Sequence, residues 1–487
     1  MNIYFSDYFS VSKGKLDTYG AFNVSLINDL PVFIDPFLLF SSEKDEYQIL
    51  HQQIIKYISF LREMSDKGPI SKGLIKHWFL FPEVKQNWLG YSKIGNGGSG
   101  LGDQFAKALN ENLGSIFNNF GNEQITRSSH LEKLCLIKDG VGKDSISDFT
   151  TNLIKGYICK YTQCFTKAHI HKSRCKEVSV NHAEFDYKTR RWVSKRYTLP
   201  YIDGDYVLLT PKDILTKDEA WINKHDIIGD FDDIANSISN IELRAQINEY
   251  LLRQIPAKAN QREINHAISR TLLKFPVLID HYIRYKEDHS DEAIALSEQK
   301  VSETETIFIR QVTNLVEILR AQKVFYSQKG NTFEEAYNRV IFLKQVIENN
   351  DGYRLFYVKG EPVKRESDLQ LIFRLTWYAA EEDVNAEVNN GRGPVDYKIS
   401  RGSKDSTLVE FKLASNSKLK QNLANQVEVY KNANQTNKSI KVILYFTDSE
   451  LERILKTLKD LDLSQGKELI LIDARATNKA SGSNAKS

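Results

Sequence analysis

The stretch GPVDYKISRGSKDSTLVEFKLASN, Gly393 to Asn416, places Asp396 at the start of one strand-like run and Glu410 and Lys412 on the next. Side chains alternate between the two faces of a strand, so Leu408, Glu410 and Lys412 share one face while Val409, Phe411 and Leu413 share the other. An acid and an amine therefore stand side by side where a core would be expected. Carboxylates so placed can hold a hard divalent cation, which takes a few oxygen ligands and keeps water. An ammonium beside them can orient water or stabilise growing negative charge. A solvated sheet face carrying a Glu-Lys pair would use the same residue types without any chemistry.

The surrounding runs must position these groups. ESDLQLIFRLTWYAA opens on Glu366 and puts Leu369, Ile372, Phe373 and Trp377 on one stripe, which predicts an amphipathic helix. DVNAEV follows as a short strand, and GRG makes a turn. PVDYKIS is a second strand with Val395, Tyr397 and Ile399 alternating against Asp396 and Lys398, and after the RGSKDS turn TLVEFKLA is a third. NLANQVEVYKNA reads as a helix with Gln426 and Tyr430 four apart on one face. KVILYFT is a buried strand, SELERILKTLKDL an amphipathic helix and KELILIDA a last strand.

This order of elements, with Asp on one strand and Glu-x-Lys on the next, resembles the PD-(D/E)xK restriction-endonuclease-like superfamily. Pro394 and Asp396 stand for its "PD", here spaced Pro-Val-Asp, and Glu410, Phe411 and Lys412 give "ExK". Glu366 matches a further acid on the first helix, and Gln426 and Tyr430 match a Gln-x-x-x-Tyr on the helix after the ExK strand. The resemblance covers residues 351–476 and implies an αβββαβ core that hydrolyses phosphodiesters with Mg²⁺, for which Mn²⁺ can substitute. Asp396 and Glu410 would be the principal metal ligands, joined by the Phe411 carbonyl and, directly or through water, by Glu366. Lys412 would orient or deprotonate the attacking water. Gln426 and Tyr430 would position the scissile phosphate or Lys412, although a helix merely packed on the sheet explains them as well. Arg392, Lys418 and Lys420 are candidates for phosphate contacts. DNA rather than RNA is the implied substrate. An unfamiliar sensor fused to such an effector resembles bacterial anti-phage defence and restriction proteins, acting as a homo-oligomer or with a partner defence protein. Two alternatives stand beside it: an inactive, nucleic-acid-binding copy, to which the absent Pro-Asp dipeptide points, and a subunit that a partner activates.

The other three quarters of the chain are less explicit. With 487 residues, two or three domains are expected, and 41% hydrophobic with 26% charged residues excludes a disordered or fibrous chain. The expected fold class is α/β in the multi-domain sense. Residues 1–255 form a mixed α/β recognition or sensing domain, 256–350 a helical connector, 351–476 the nuclease-like domain and 477–487 a frayed tail. HQQIIKYISFLREM is a clear helix, with Ile54, Ile55, Ile58 and Leu61 at helical spacing, while LPVFIDPFLLF and DYVLLTP read as β-like runs. Ile307, Ile309, Val312, Leu315, Ile318 and Leu319 predict a connector helix, and Asn331-Thr332 caps the next.

A net charge of +3 neither requires nor excludes a nucleic-acid partner. The first residues lack the pattern of a signal peptide, and no apolar run reaches the roughly 18 residues that span a bilayer. Four cysteines are too few for a disulfide framework, so a cytoplasmic protein with no membrane partner is expected. Cys159, Cys164, His169, His171 and Cys175, with His182 beyond, are zinc-ligand types, but their spacing fits no defined pattern, and YICKYTQCF also reads as an ordinary apolar segment. YKTRRWVSKRY interleaves cations with Tyr187, Trp192 and Tyr197; it suits a nucleic-acid surface or a β-hairpin with a solvated charged face. GNGGSG follows no convincing buried strand, and DGVGKDS lacks the first glycine of a phosphate loop, so neither predicts nucleotide hydrolysis. Asp35 and Asp148 are isolated acids for which loop or cap roles suffice.

Overall fold

The computed structural model describes residues 3–90, 103–113, 120–137, 141–256, 258–321, 331–349, 352–358, 360–377, 397–401, 405–424 and 438–478, and the chain is mixed α and β. The periodic run around Ile54 is helix α1, Asp45–Asp66, with Ile54, Ile58 and Leu61 buried on one stripe. Helix α2, Lys155–His169, lies across a long hairpin of β1, Cys175–Asp186, and β2, Arg191–Ile202.

The two β-like runs turn out differently from the sequence expectation. LPVFIDPFLLF contributes only Phe33–Ile34 to a two-stranded pairing with Leu215–Thr216, and then becomes the helix Pro36–Ser41. The cause is local. Asp35 accepts from Phe37 N at 3.0 Å as the N-cap, and Pro36 has no N–H to waste at the first helical position. In DYVLLTP only Asp205–Tyr206 forms strand, while Val207, Leu208 and Leu209 are buried without joining a ladder. Helices already dominate from Lys224 onward, ahead of the expected connector.

Between Glu305 and Val312 the connector helix widens to a π turn, Thr306–Gln311, before α3, Val312–Ala321. Ile307, Phe308 and Ile309 are all buried there, which a regular helical stripe does not allow for three consecutive residues. Helix α4, Thr332–Asn349, starts where the Asn331 side chain accepts from Glu334 N at 2.9 Å.

Helix α5, Glu366–Trp377, precedes a four-stranded sheet of β3, Tyr397–Arg401, β4, Asp405–Leu413, β5, Lys438–Tyr445, and β6, Leu469–Asp473, in the spatial order β6-β5-β4-β3. β3 and β4 are antiparallel, whereas β4, β5 and β6 are mutually parallel. The parallel pair β5 and β6 is joined through helix α6, Asp448–Asp460, as a parallel connection requires. One face of the sheet, with Val409, Phe411, Leu413, Val442 and Ile472, packs on α4 and α5 and is continuous with a hydrophobic cluster that begins at Ile3. The other face forms a second cluster with α6 and the segment Leu419–Leu423.

Candidate active site

β4 alternates between its two faces. Val409, Phe411 and Leu413 are buried toward α4 and α5, where the Phe411 ring stacks on Phe373 at 3.8 Å and 10°. Glu410 and Lys412 occupy the opposite face, opposite Lys441 and Ile443 of β5 in the parallel register. Lys412 is only 5% exposed, so the solvated ion pair considered from the sequence does not describe it. A lysine buried to that degree requires a counter-charge.

Glu366 supplies it. The first residue of α5 brings its carboxylate to the C-terminal end of β4, where Lys412 Nζ donates to Oε1 and Asn416 Nδ2 donates to Oε2. The acid and the amine lie 46 residues apart in sequence. Asn416 stands in the turn that leaves β4, so one strand and its exit hold both oxygens.

Glu410 is held more loosely. Lys441 Nζ lies 3.1 Å from Glu410 Oε2, but out of hydrogen-bond alignment, and it donates instead to the Asn422 carbonyl at 3.2 Å. Glu410 Oε2 is thus buried with no hydrogen-bond donor. An oxygen in that condition is suited to a cation, and the neighbouring ammonium meets only part of that need.

Asp396, Pro394, Arg392, Gln426 and Tyr430 lie outside the described residues. β3 begins at Tyr397, the residue after Asp396, and Tyr397 pairs with Val409, the residue before Glu410. Lys418 and Lys420 are exposed beyond the site; Lys418 N donates to Asn416 Oδ1 at 2.8 Å, and Lys420 Nζ is paired with Asp460 Oδ2 of α6 at 2.7 Å. Asn416 and Lys441 are contributors that sequence reasoning missed. Lys441, a cation inside the apolar run KVILYFT, was the available signal, whereas Asn416 had none.

The first turn of α5 is gripped from far away in the chain. Lys217 Nζ meets Asp368 Oδ2 at 2.7 Å with both side chains buried, and Arg365 Nη1 meets Asp218 Oδ1 at 2.5 Å. These pairs flank Glu366 and fix the direction from which its side chain enters the site.

The remaining candidates resolve into structural roles or stay apart. Cys159 is buried within α2, Cys164 is exposed on the same helix, and His171 accepts from Ser173 N to cap a short turn. Among the described residues no group of three or more His, Cys, Asp or Glu is placed to hold a metal ion. Lys143 donates to the Asp218 carbonyl. Asp35 is the buried helix cap already described, with Trp221 N as a second donor at 2.8 Å. Asp148 lies inside the helix Lys143–Leu153, rather than in a loop or cap, and burial with Glu83 and Asp144 nearby pushes its carboxyl up to about 7. In the hairpin β1–β2, Arg196 pairs across the strands with Glu177 and Lys195 with Glu184, while Tyr197 is buried against the helices.

Residues 10–223 match a family model described as a domain of unknown function (DUF8370), and residues 332–448 match a second, also described as a domain of unknown function (DUF8371). The second match starts at the first residue of α4, so that helix falls in one unit with α5 and strands β3 to β5. No curated protein and no solved structure matches the chain.

Proposed function

We propose that the C-terminal module, residues 351–476 with α4 packed on its sheet, is a metal-dependent nuclease of the PD-(D/E)xK restriction-endonuclease-like kind. It hydrolyses DNA as the effector of a bacterial anti-phage defence or restriction system. The observation that carries this reading is the meeting of Glu366 and Lys412 beside Glu410, three charged groups from two elements brought together at β4. Asp396, which the resemblance implies as a second ligand, directly precedes β3 in the sequence. The donor-free Glu410 Oε2 supports a cation there, since Mg²⁺ favours hard carboxylate oxygens.

Asp396, Glu410, the Phe411 carbonyl and Glu366 would hold the ion. When bound, Mg²⁺ would acidify a water and offset charge on the leaving oxygen. As an ammonium, Lys412 would orient the attacking water and steady the charge on the phosphorane; only after giving up a proton could its amine take one from that water. For this its ammonium must exchange its contact with Glu366 for one with water, while Asn416 keeps the Glu366 carboxylate in place.

The observation that each acid already faces a lysine, Glu366 with Lys412 and Glu410 with Lys441, favours a second reading: a fold that binds nucleic acid without cutting it until a partner acts. Incubating plasmid and linear DNA with the full chain in Mg²⁺ or EDTA separates the two. The nuclease reading expects Mg²⁺-dependent cleavage that Asp396→Ala, Glu410→Ala and Lys412→Ala each reduce by about a hundredfold or more. Equal cleavage by wild type and variants, or none by any of them, would sink it.

A further inference from the structure

The hairpin that carries the basic, ring-rich run YKTRRWVSKRY walls a cavity of about 420 Å³ between α1, α2 and β1–β2. That is the size of a small-ligand site. Its floor is a set of rings already packed on each other. Tyr57 and Phe185 lie 5.0 Å apart at 88°, Tyr57 and Trp192 5.5 Å apart, and Phe185 and Trp192 5.3 Å apart at 66°. Tyr57 is anchored further by donating to the Trp78 carbonyl at 2.7 Å. A floor so braced keeps its shape when a ligand arrives or leaves.

The wall is built by an irregularity in β1. Cα pairing with β2 runs from Cys175–Pro200 to Val180–Lys195 and resumes two residues out of step at Glu184–Val193, with His182 at a φ of 53°. The displaced backbone is seated on Gly156 of α2, where a Cβ would stand 2.6 Å from the Ala183 carbonyl. Only glycine allows that approach, so helix and bulge define the cavity edge together.

Charge at the rim is one-sided in what it leaves uncommitted. Glu184 is engaged by Lys195, and Glu46 accepts from the Tyr157 hydroxyl at 3.2 Å. Lys56 lies 4.4 Å over the Tyr187 ring and Lys160 stands on α2, and no carboxylate among the described residues is within ion-pair distance of either. Rings below and two ammoniums above are complementary to a flat aromatic group that carries negative charge.

We propose that this cavity binds a nucleoside phosphate unit, its base against the rings of Trp192 and Tyr187 and its phosphate at Lys56 and Lys160. The unit can come from a free nucleotide or from the end of a nucleic-acid strand. This site lies in the N-terminal half and does not depend on the nuclease reading.

The test is calorimetric titration of the full-length Asp396→Ala protein, so that no ligand is consumed. The probes are AMP, ATP, GMP, GTP, adenosine, inorganic phosphate and a short single-stranded oligonucleotide. At least one nucleotide or the oligonucleotide should bind, and adenosine or phosphate alone should bind about tenfold more weakly than the joined unit. Lys56→Glu with Lys160→Glu, two exposed positions, should weaken that binding about tenfold or more in a protein whose melting temperature matches wild type. Binding by mononucleotides assigns the free ligand, and binding by the oligonucleotide alone assigns a strand end. No binding by any nucleotide or oligonucleotide below about 1 mM would overturn the proposal, as would binding that the double variant leaves unchanged.

Discussion

At the proposed metal site, the Lys441 ammonium stands where it would tune the binding of a cation. Lys441 Nζ is 3.1 Å from an oxygen that has no hydrogen-bond donor, so it competes with any cation for that oxygen. Lys441→Met removes the competitor and keeps the length of the side chain. Mn²⁺ affinity of the variant, read by titration, is expected to rise about tenfold; unchanged or weaker binding by a folded variant would contradict the assignment. A second residue-scale prediction concerns Glu132, which is 1% exposed with Oε1 lacking a hydrogen-bond partner. Burial, and after it the charge of Asp35, holds its carboxyl above the ordinary value of 4.5. The native state therefore keeps a proton that the unfolded chain releases, and stability falls as pH rises above that value. Glu132→Gln is expected to melt at a higher temperature than wild type near about pH 8, with the gap closing near about pH 4; a variant less stable at pH 8 would refute the assignment. At this scale Glu410 and Lys412 stood out in the sequence because a charge inside an apolar period does, whereas Glu366 entered only through the resemblance. The sequence concealed Asn416 and Glu132, because a polar side chain in a turn or between helices breaks no pattern.

Helix α5 is the element that completes the site, and its orientation is set by partners some 150 residues away. Lys217 and Asp368 are a buried pair, and breaking such a pair leaves an uncompensated charge at a cost of about 3–5 kcal/mol. Lys217→Ala should lower stability in denaturant melts by about that amount, whereas Lys217→Met combined with Asp368→Leu should recover most of it. A loss below about 1 kcal/mol for the single variant would show that the pair does not hold α5. Periodicity made α1, α5, α6 and the strands β4 to β6 legible, since each has one buried stripe or alternating face. The π turn Thr306–Gln311 was not legible, because its apolar residues also satisfy a regular helix until packing forces three neighbours inward. The helix Pro36–Ser41 was missed for a different reason: its apolar run outweighed the Asp-Pro start signal.

Across the whole molecule, one connected hydrophobic cluster runs from Ile3 to Ala474 and includes one face of the C-terminal sheet. The hairpin and the Phe411 side of β4 therefore share one packed interior, whereas Lys412 lies on the face of the second cluster. That arrangement was invisible in the sequence, where the three composition zones suggested separable pieces, and α4 read as connector although it lies on the sheet. Among the described residues no helix is long and apolar enough to cross a membrane. The account as a whole rests on a divalent ion at Glu410. Anomalous diffraction from a crystal soaked in Mn²⁺ tests it directly. The account predicts a peak within coordination distance, about 2.2 Å, of carboxylate oxygens from Glu410 and Asp396, with Lys441 displaced from Glu410. A soaked crystal with no peak there, and with both lysine pairs intact, would contradict it.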